Sequence, residues 1–237
     1  MLRRLIVNAD DFGLSAGINQ GIMETCDRGI VTSASLMVRG AAAAADYARK
    51  NPRLSVGLHL DLAEWIYRDG AWAPLYEVVD VTDAAAVEGE VRRQLNAFIG
   101  LVGQPPTHVD SHQHIHRREP LRSIALRVAG ELNVPLRHLS PTVQYRGDFY
   151  GQTAQGDPMP DAIRVEALLA VLRGLEPGVT ELACHPGYAD DVETTYRAER
   201  ACEVAALCDW RVRAVLAEEQ IELISFSDLV AGGGASR

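Results

Sequence analysis

Asp10 and Asp11 stand side by side in NADDFG, directly after the apolar run Leu5-Ile6-Val7. Adjacent carboxylates repel and gain nothing from an apolar neighbourhood. The pair is therefore either a solvated turn, where Asn and Asp are common, or a place built to receive positive charge. Six of the seven histidines fall in three further segments of the same construction. VGLHLDL carries His59; PTHVDSHQHIH carries His108, His112, His114 and His116; ELACHPGY carries His185. Each segment begins as an apolar run and reaches its histidine at or near the C-terminal end. In parallel α/β architectures those strand ends open onto one face, where active sites are built. Four such ends bearing Asp and His converge on one polar site.

Imidazoles and carboxylates without partner thiols are the ligand vocabulary of a divalent metal such as zinc, iron, cobalt, nickel or manganese. Three protein ligands leave a position open for water. One of the paired aspartates can then ligate the ion while the other stays free to act on that water. Within PTHVDSHQHIH, His108, Asp110, His112, His114 and His116 share a parity, so strand alternation does not choose the ligand. Asp110 is either an acceptor for an imidazole N–H or a strand-end cap.

The elements that must position these groups follow from periodicity. Strand-like runs cover residues 4–9, 32–38, 54–60, 107–111, 135–139, 179–184 and 221–225. Helical patterns fill 16–28, 41–50, 84–102, 120–132, 161–175 and 193–219. Strands alternating with helices imply parallel pairing through right-handed crossovers, hence a single-domain, distorted (β/α) barrel of about seven parallel strands over 1–237, with an open doubly wound sheet as the rival. Two stretches interrupt the rhythm as long functional loops: 63–83, with Trp65, Tyr67, Trp72 and Tyr76, and 140–160, whose RGD triplet reads as an accident of composition. The tail AGGGASR reads as frayed.

Composition narrows the class. The chain has 237 residues, enough for one such barrel, and a net charge of −9, which argues against a nucleic-acid partner. No apolar run approaches the roughly 18–20 residues needed to span a bilayer, and acids arrive too early in MLRRLIVNADD for a signal peptide. Cys26, Cys184, Cys202 and Cys208 form no CxxC pair; with 202 and 208 on different faces of one helix, they read as reduced thiols of a cytoplasmic protein.

The segments LIVNADDFGLSAGIN, GIVTSASLMV, VGLHLDL, PTHVDSHQHIH, FYG and ELACHPGY together resemble the YdjC-like carbohydrate deacetylases, the family of the chitooligosaccharide deacetylase and the hopanoid-biosynthesis deacetylase. The resemblance runs from residue 4 to about 190 and implies a distorted (β/α) barrel. It implies Asp11, His59 and His112 as metal ligands, Asp10 as general base and His185 as general acid. An ordinary histidine titrates near 6.5, within reach of protonating a leaving amine. His114 and His116 match the motif and are expected to contact substrate. Trp65, Trp72 and Tyr150 are candidates for stacking on sugar rings. The expected activity is metal-dependent removal of an N-acetyl group from an amino sugar, oligosaccharide or lipid-linked, with one divalent ion, magnesium or zinc. A homodimer is suggested by the family. The alternatives are a metal-dependent phosphoesterase, which the few site arginines, Arg39 and Arg146, disfavour, and a non-catalytic carbohydrate-binding relative.

Overall fold

A computed structural model describes residues 2–232. Its centre is β1 (Arg3–Phe12), whose last eight residues are all buried. β1 pairs in parallel with β2 (Ser33–Leu36) and β8 (Gly178–Cys184), while β9 (Ile221–Leu223) pairs with its first residues, below β2. The sheet continues through β3 (Ser55–Leu60) to β6 (Val109–Ser111) on one side and to β7 (Gln144–Arg146) on the other. Every ladder in this seven-stranded sheet is parallel. The sheet is an open, curled barrel: no ladder joins β6 to β7 among the described residues.

Helices cover the sheet by burying one stripe each. In α1 (Ala16–Asp27), Ser15 caps the first turn by accepting from the Ile18 N–H, and Ile18, Ile22 and Thr25 face inward. The small α2 (Ala42–Lys50) buries only alanines. In α3 (Ala84–Val102), Asp83 caps the start, Gly103 closes the end in the left-handed region, and Val87, Val91, Leu95, Phe98 and Val102 form the stripe. α4 (Leu121–Leu132) and α5 (Val165–Arg173) continue the layer.

Four expectations are corrected. Residues 63–83 are not a loop: β4 (Ala63–Arg68) and β5 (Ala71–Glu77) form an antiparallel hairpin. Its turn residues Asp69 and Gly70 have φ of 54° and 82°, as a two-residue Asp-Gly hairpin turn demands. Residues 135–139 make one bridge, Leu136 to Val109, rather than a strand; Pro135 has no N–H to donate, and His138 turns the chain with φ 63°. The strand β7 lies instead inside the long loop, where the RGD Arg146 and Asp148 pair with each other. The long C-terminal helix is two: α6 (Ala198–Leu207) and α7 (Trp210–Glu218), with Asp209 capping α7 through the Arg211 N–H. A short α8 (Phe226–Gly232) closes the described chain. Of the tail expected to fray, Ala231 and Gly232 belong to this helix and the remainder lies outside the described residues.

The two glycines of α1, Gly17 and Gly21, have a packing reason. A Cβ at Gly21 would stand 2.5 Å from Gly187 Cα, and one at Gly17 would stand 1.9 Å from the Tyr188 carbonyl oxygen. The two glycines let the turn after His185 lie directly on the helix. Gly21→Ala should therefore destabilise the fold by ~1–3 kcal/mol, the usual range for forced overpacking. Thermal melts would show it as a lowered Tm; an unchanged Tm would mean the turn moves freely.

Candidate active site

Strand alternation should send Asp10 and Asp11 to opposite faces, yet both line the same cleft. The reason is a bulge. Ala9 pairs with Ala34 and Phe12 with Leu36, so β1 advances three positions while β2 advances two. Asp11 takes up the extra residue with φ 67°, in the left-handed region. Strain of this kind persists where the surroundings hold it, and here they are dense with charge.

Asp11 is 1% exposed and gathers two imidazoles. Its Oδ1 lies 3.4 Å from Nε2 of His59, at the end of β3, and 3.1 Å from Nδ1 of His112, which opens the 3-10 turn after β6. Ligand atoms of these three residues all lie within 4.8 Å of one another. His59 turns its other nitrogen to Asp110 Oδ1 at 2.7 Å, so Asp110 serves as an imidazole acceptor, and the acceptor of His59. This leaves His59 Nε2 buried with no hydrogen-bond partner. Nε2 of His112 also lacks one, with Glu64 Oε2 at 3.7 Å. Orphaned buried nitrogens beside a carboxylate fit a divalent cation.

Electrostatics agree. Burial alone would lower the His112 pKa, but Asp11 outweighs it and raises the group to about 9. His59 is likewise raised against burial, by Asp110 and Asp11. Without a metal ion the site therefore collects protons, and a metal must displace them. At pH 7 metal uptake should release protons, and apparent affinity should rise with pH through about 9, above which His112 has lost its proton. Titration calorimetry in buffers of different ionisation enthalpy checks this; a heat independent of buffer would contradict it.

Asp10 has a different environment. Arg137 grips both its oxygens, NH1 to Oδ2 at 2.5 Å and NH2 to Oδ1 at 2.7 Å, and Asn8 Nδ2 donates to Oδ1 at 2.8 Å. Burial would raise the Asp10 pKa, but Arg137 prevails and keeps it low, so the group is a carboxylate at neutral pH. The same guanidinium reaches Asp110 and Glu181. A second potential ligand group, Asp10 with His59 and Asp110, thus already contains a cation. His185 follows β8, with Nε2 at 3.7 Å from Asp10 Oδ2 and Nδ1 unpartnered. Burial pushes its pKa down to about 4, against Asp10 and Asp11. The ordinary value expected from sequence does not hold here, and the ring is neutral at pH 7.

The remaining candidates separate. His114, Tyr150, Trp65 and Trp72 line the cleft. His114 Nε2 meets the Tyr145 hydroxyl at 3.2 Å, and its Nδ1 is free of partners. Tyr150 stacks on Tyr196 at 4.5 Å and sits 5.3 Å from His185. Trp65 exchanges two backbone bonds with the Gln113 side chain, tying the hairpin to the turn that carries His112. His116 is a correction: it is fully buried, bonded to Ser111 Oγ at 2.7 Å and to the Arg137 carbonyl at 3.1 Å, and does not line the cleft. Its two nitrogens are both used in holding the frame.

The arginines are a second correction. Arg39 pairs with buried Asp61, and Arg146 with Asp148; neither lines the cleft. The guanidiniums at the aspartates are Arg137 and Arg200, which sequence reading missed. Arg137, inside the apolar run PLRHL, had a signal: a charge in a stretch that must be buried. Arg200 and Glu203, in a helix of mixed polarity, had none.

Comparison with known proteins adds the following. A family model described as YdjC-like protein matches residues 4–218. A carbohydrate deacetylase from Geobacillus stearothermophilus is 32% identical, covering 96% of this chain and 98% of the relative. A chitooligosaccharide deacetylase from Citrobacter koseri is also 32% identical, over 97% of this chain and 100% of the relative. Among solved structures, a proposed cellobiose-phosphate cleavage protein from Enterococcus faecalis superposes with a TM-score of 0.78 at 26% identity, covering 97% of this chain and 99% of that one. A family 4 carbohydrate esterase from Streptomyces lividans, in complex with acetate, shares the fold at TM-score 0.56 and 16% identity, over 94% and 91%.

Proposed function

The chain belongs to the YdjC-like family, and from that premise we propose that it is a carbohydrate deacetylase, a metal-dependent hydrolase that removes the N-acetyl group of an amino sugar. The single observation that carries the reading is the trio Asp11, His59 and His112, with two buried imidazole nitrogens left unpartnered at the floor of a cleft. Asp11, His59 and His112 would hold one divalent ion, magnesium or zinc, which when bound would supply a Lewis acid for the amide carbonyl and for water.

Asp10 takes a proton from the attacking water as general base. Arg137 and Asn8 keep its carboxylate oriented. His185 delivers the proton to the departing amine. Because it is neutral at pH 7, that proton comes from Asp10 across the Oδ2–Nε2 gap of 3.7 Å, which must shorten when substrate binds. The sum is one water consumed, the C–N bond broken, and acetate and a free amine released.

The cleft encloses about 890 Å³, toward the upper end of small-molecule sites at roughly 300–1,000 Å³. One wall is the hairpin, with Trp65, Tyr67 and Trp72; Tyr150 and Tyr196 belong to the other. Such walls suit sugar rings, which stack on aromatic faces, and we assign Trp65, Trp72, Tyr150 and His114 to substrate contact. The substrate class is an N-acetylglucosamine oligosaccharide or a lipid-linked amino sugar. Four free cysteines support a reducing cytoplasm. No helix among the described residues is long and apolar enough to cross a membrane. The family resemblance supports a homodimer.

A phosphoesterase with two metals is disfavoured by Arg137, whose guanidinium stands between Asp10 and Asp110 where a second ion would bind. An acetate-release screen over N-acetylglucosamine, its β-linked oligomers and lipid-linked forms tests the reading. Release from at least one is expected; phosphate release from phosphosugars with no acetate would overturn it.

A further inference from the structure

Each of the two paired aspartates meets its own arginine, and the two contacts differ in kind. Arg137 takes both oxygens of Asp10. Arg200 takes only one of Asp11: its NH2 lies 2.6 Å from Oδ2, while Oδ1 faces His59 and His112. Arg200 is 2% exposed and projects from α6 into the floor of the cleft. Two anchors independent of Asp11 fix its plane. Nε donates to the Tyr196 carbonyl at 2.8 Å and NH1 to the His185 carbonyl at 3.3 Å. One helical turn on, Glu203 Oε2 accepts the His185 N–H at 2.5 Å. The guanidinium therefore belongs to a frame that also holds the His185 backbone, and it does not follow Asp11 if that carboxylate rotates.

A carboxylate beside a dication can offer one oxygen or both. A fixed, permanently charged guanidinium on Oδ2 removes the second choice. It also draws carboxylate charge away from the ion and repels it through a medium of low effective dielectric. We propose that Arg200 is a positioning residue that confines Asp11 to one-oxygen ligation, giving up metal affinity to keep the bound ion electron-poor. An electron-poor ion polarises a carbonyl more strongly, so Arg200 acts on the reaction through Asp11 without touching substrate. The same frame sets the His185 strand end relative to the metal ligands. Any shift of α6 would move both together.

The inference rests on the metal reading of Asp11, and the test separates the two. Wild type and Arg200→Gln, each stripped and titrated with Co(II), are compared by chelator competition and by the visible spectrum of the bound ion. The variant is expected to bind Co(II) about tenfold or more tightly, since it loses a competing cation beside the ligand. Its d–d absorption should weaken as Asp11 adds its second oxygen, and kcat should fall. Equal or weaker Co(II) binding with an unchanged spectrum would overturn the proposal, showing that Arg200 only packs. If Arg200→Gln does not fold, X-ray absorption of Co(II)-loaded wild type decides. A single-oxygen carboxylate ligand is expected, and a metal-to-carbon distance typical of two-oxygen ligation would overturn it. Wild type that binds no Co(II) at all would instead sink the metal reading itself.

Discussion

His59→Ala and His112→Ala should each reduce metal affinity by more than the ~10–100-fold that follows loss of a group merely supporting a ligand, and abolish acetate release at ordinary metal concentrations. Both rings converge on Asp11 Oδ1, and each keeps a buried nitrogen without any hydrogen-bond partner. Removing one leaves two ligands, too few for an open three-ligand site. The fold should survive, because the barrel is built from core packing that the site only borders. Circular dichroism is therefore expected to stay unchanged while metal content falls. Full occupancy in His112→Ala would move the third ligand to His114, which also lines the cleft and keeps a free buried nitrogen. His116 is not a substitute, since both of its nitrogens are bonded.

Asp10→Asn should retain metal and lose kcat by roughly 10²–10⁴-fold, the range for loss of a general base. The amide keeps the size of the carboxylate but cannot take a proton from water. Arg137 still faces Asp110 and Glu181, so no buried cation is left unpaired. Metal content measured beside single-turnover rates tells the two aspartates apart. Equal loss of metal in Asp10→Asn and Asp11→Asn would make both of them ligands and remove the base from this account.

The strand ends were legible because buried parallel strands read as apolar runs, and histidines at the ends of such runs break the pattern visibly. β1, β3, β6 and β8 fall where those runs predict them, within a few residues. The hairpin was missed although Asp69-Gly70 announced it, because its outer strand β5 is mostly exposed and carries no apolar alternation. The division of α6 from α7 was signalled by Asp209, a helix cap hidden inside a continuous helical pattern. The site arginines were harder. Arg137 becomes necessary only once Asp10, Asp110 and Glu181 are known to share one buried space, and three strands far apart in sequence supply them. The bulge at Asp10 and Asp11 is a property of the register with β2, which no local pattern encodes. The pKa of His185 is likewise set by burial at the barrel mouth rather than by its neighbours in sequence.

The most direct test titrates metal back into chelator-treated protein while acetate and free amine are measured on a β-linked N-acetylglucosamine oligomer. With Asp11, His59 and His112 forming a single site, activity should be absent in the stripped protein, rise linearly with added ion, and level off at one ion per chain, with acetate and amine released in equal amounts. Acetate release that survives removal of the metal, or that levels off only at two ions per chain, would contradict the account.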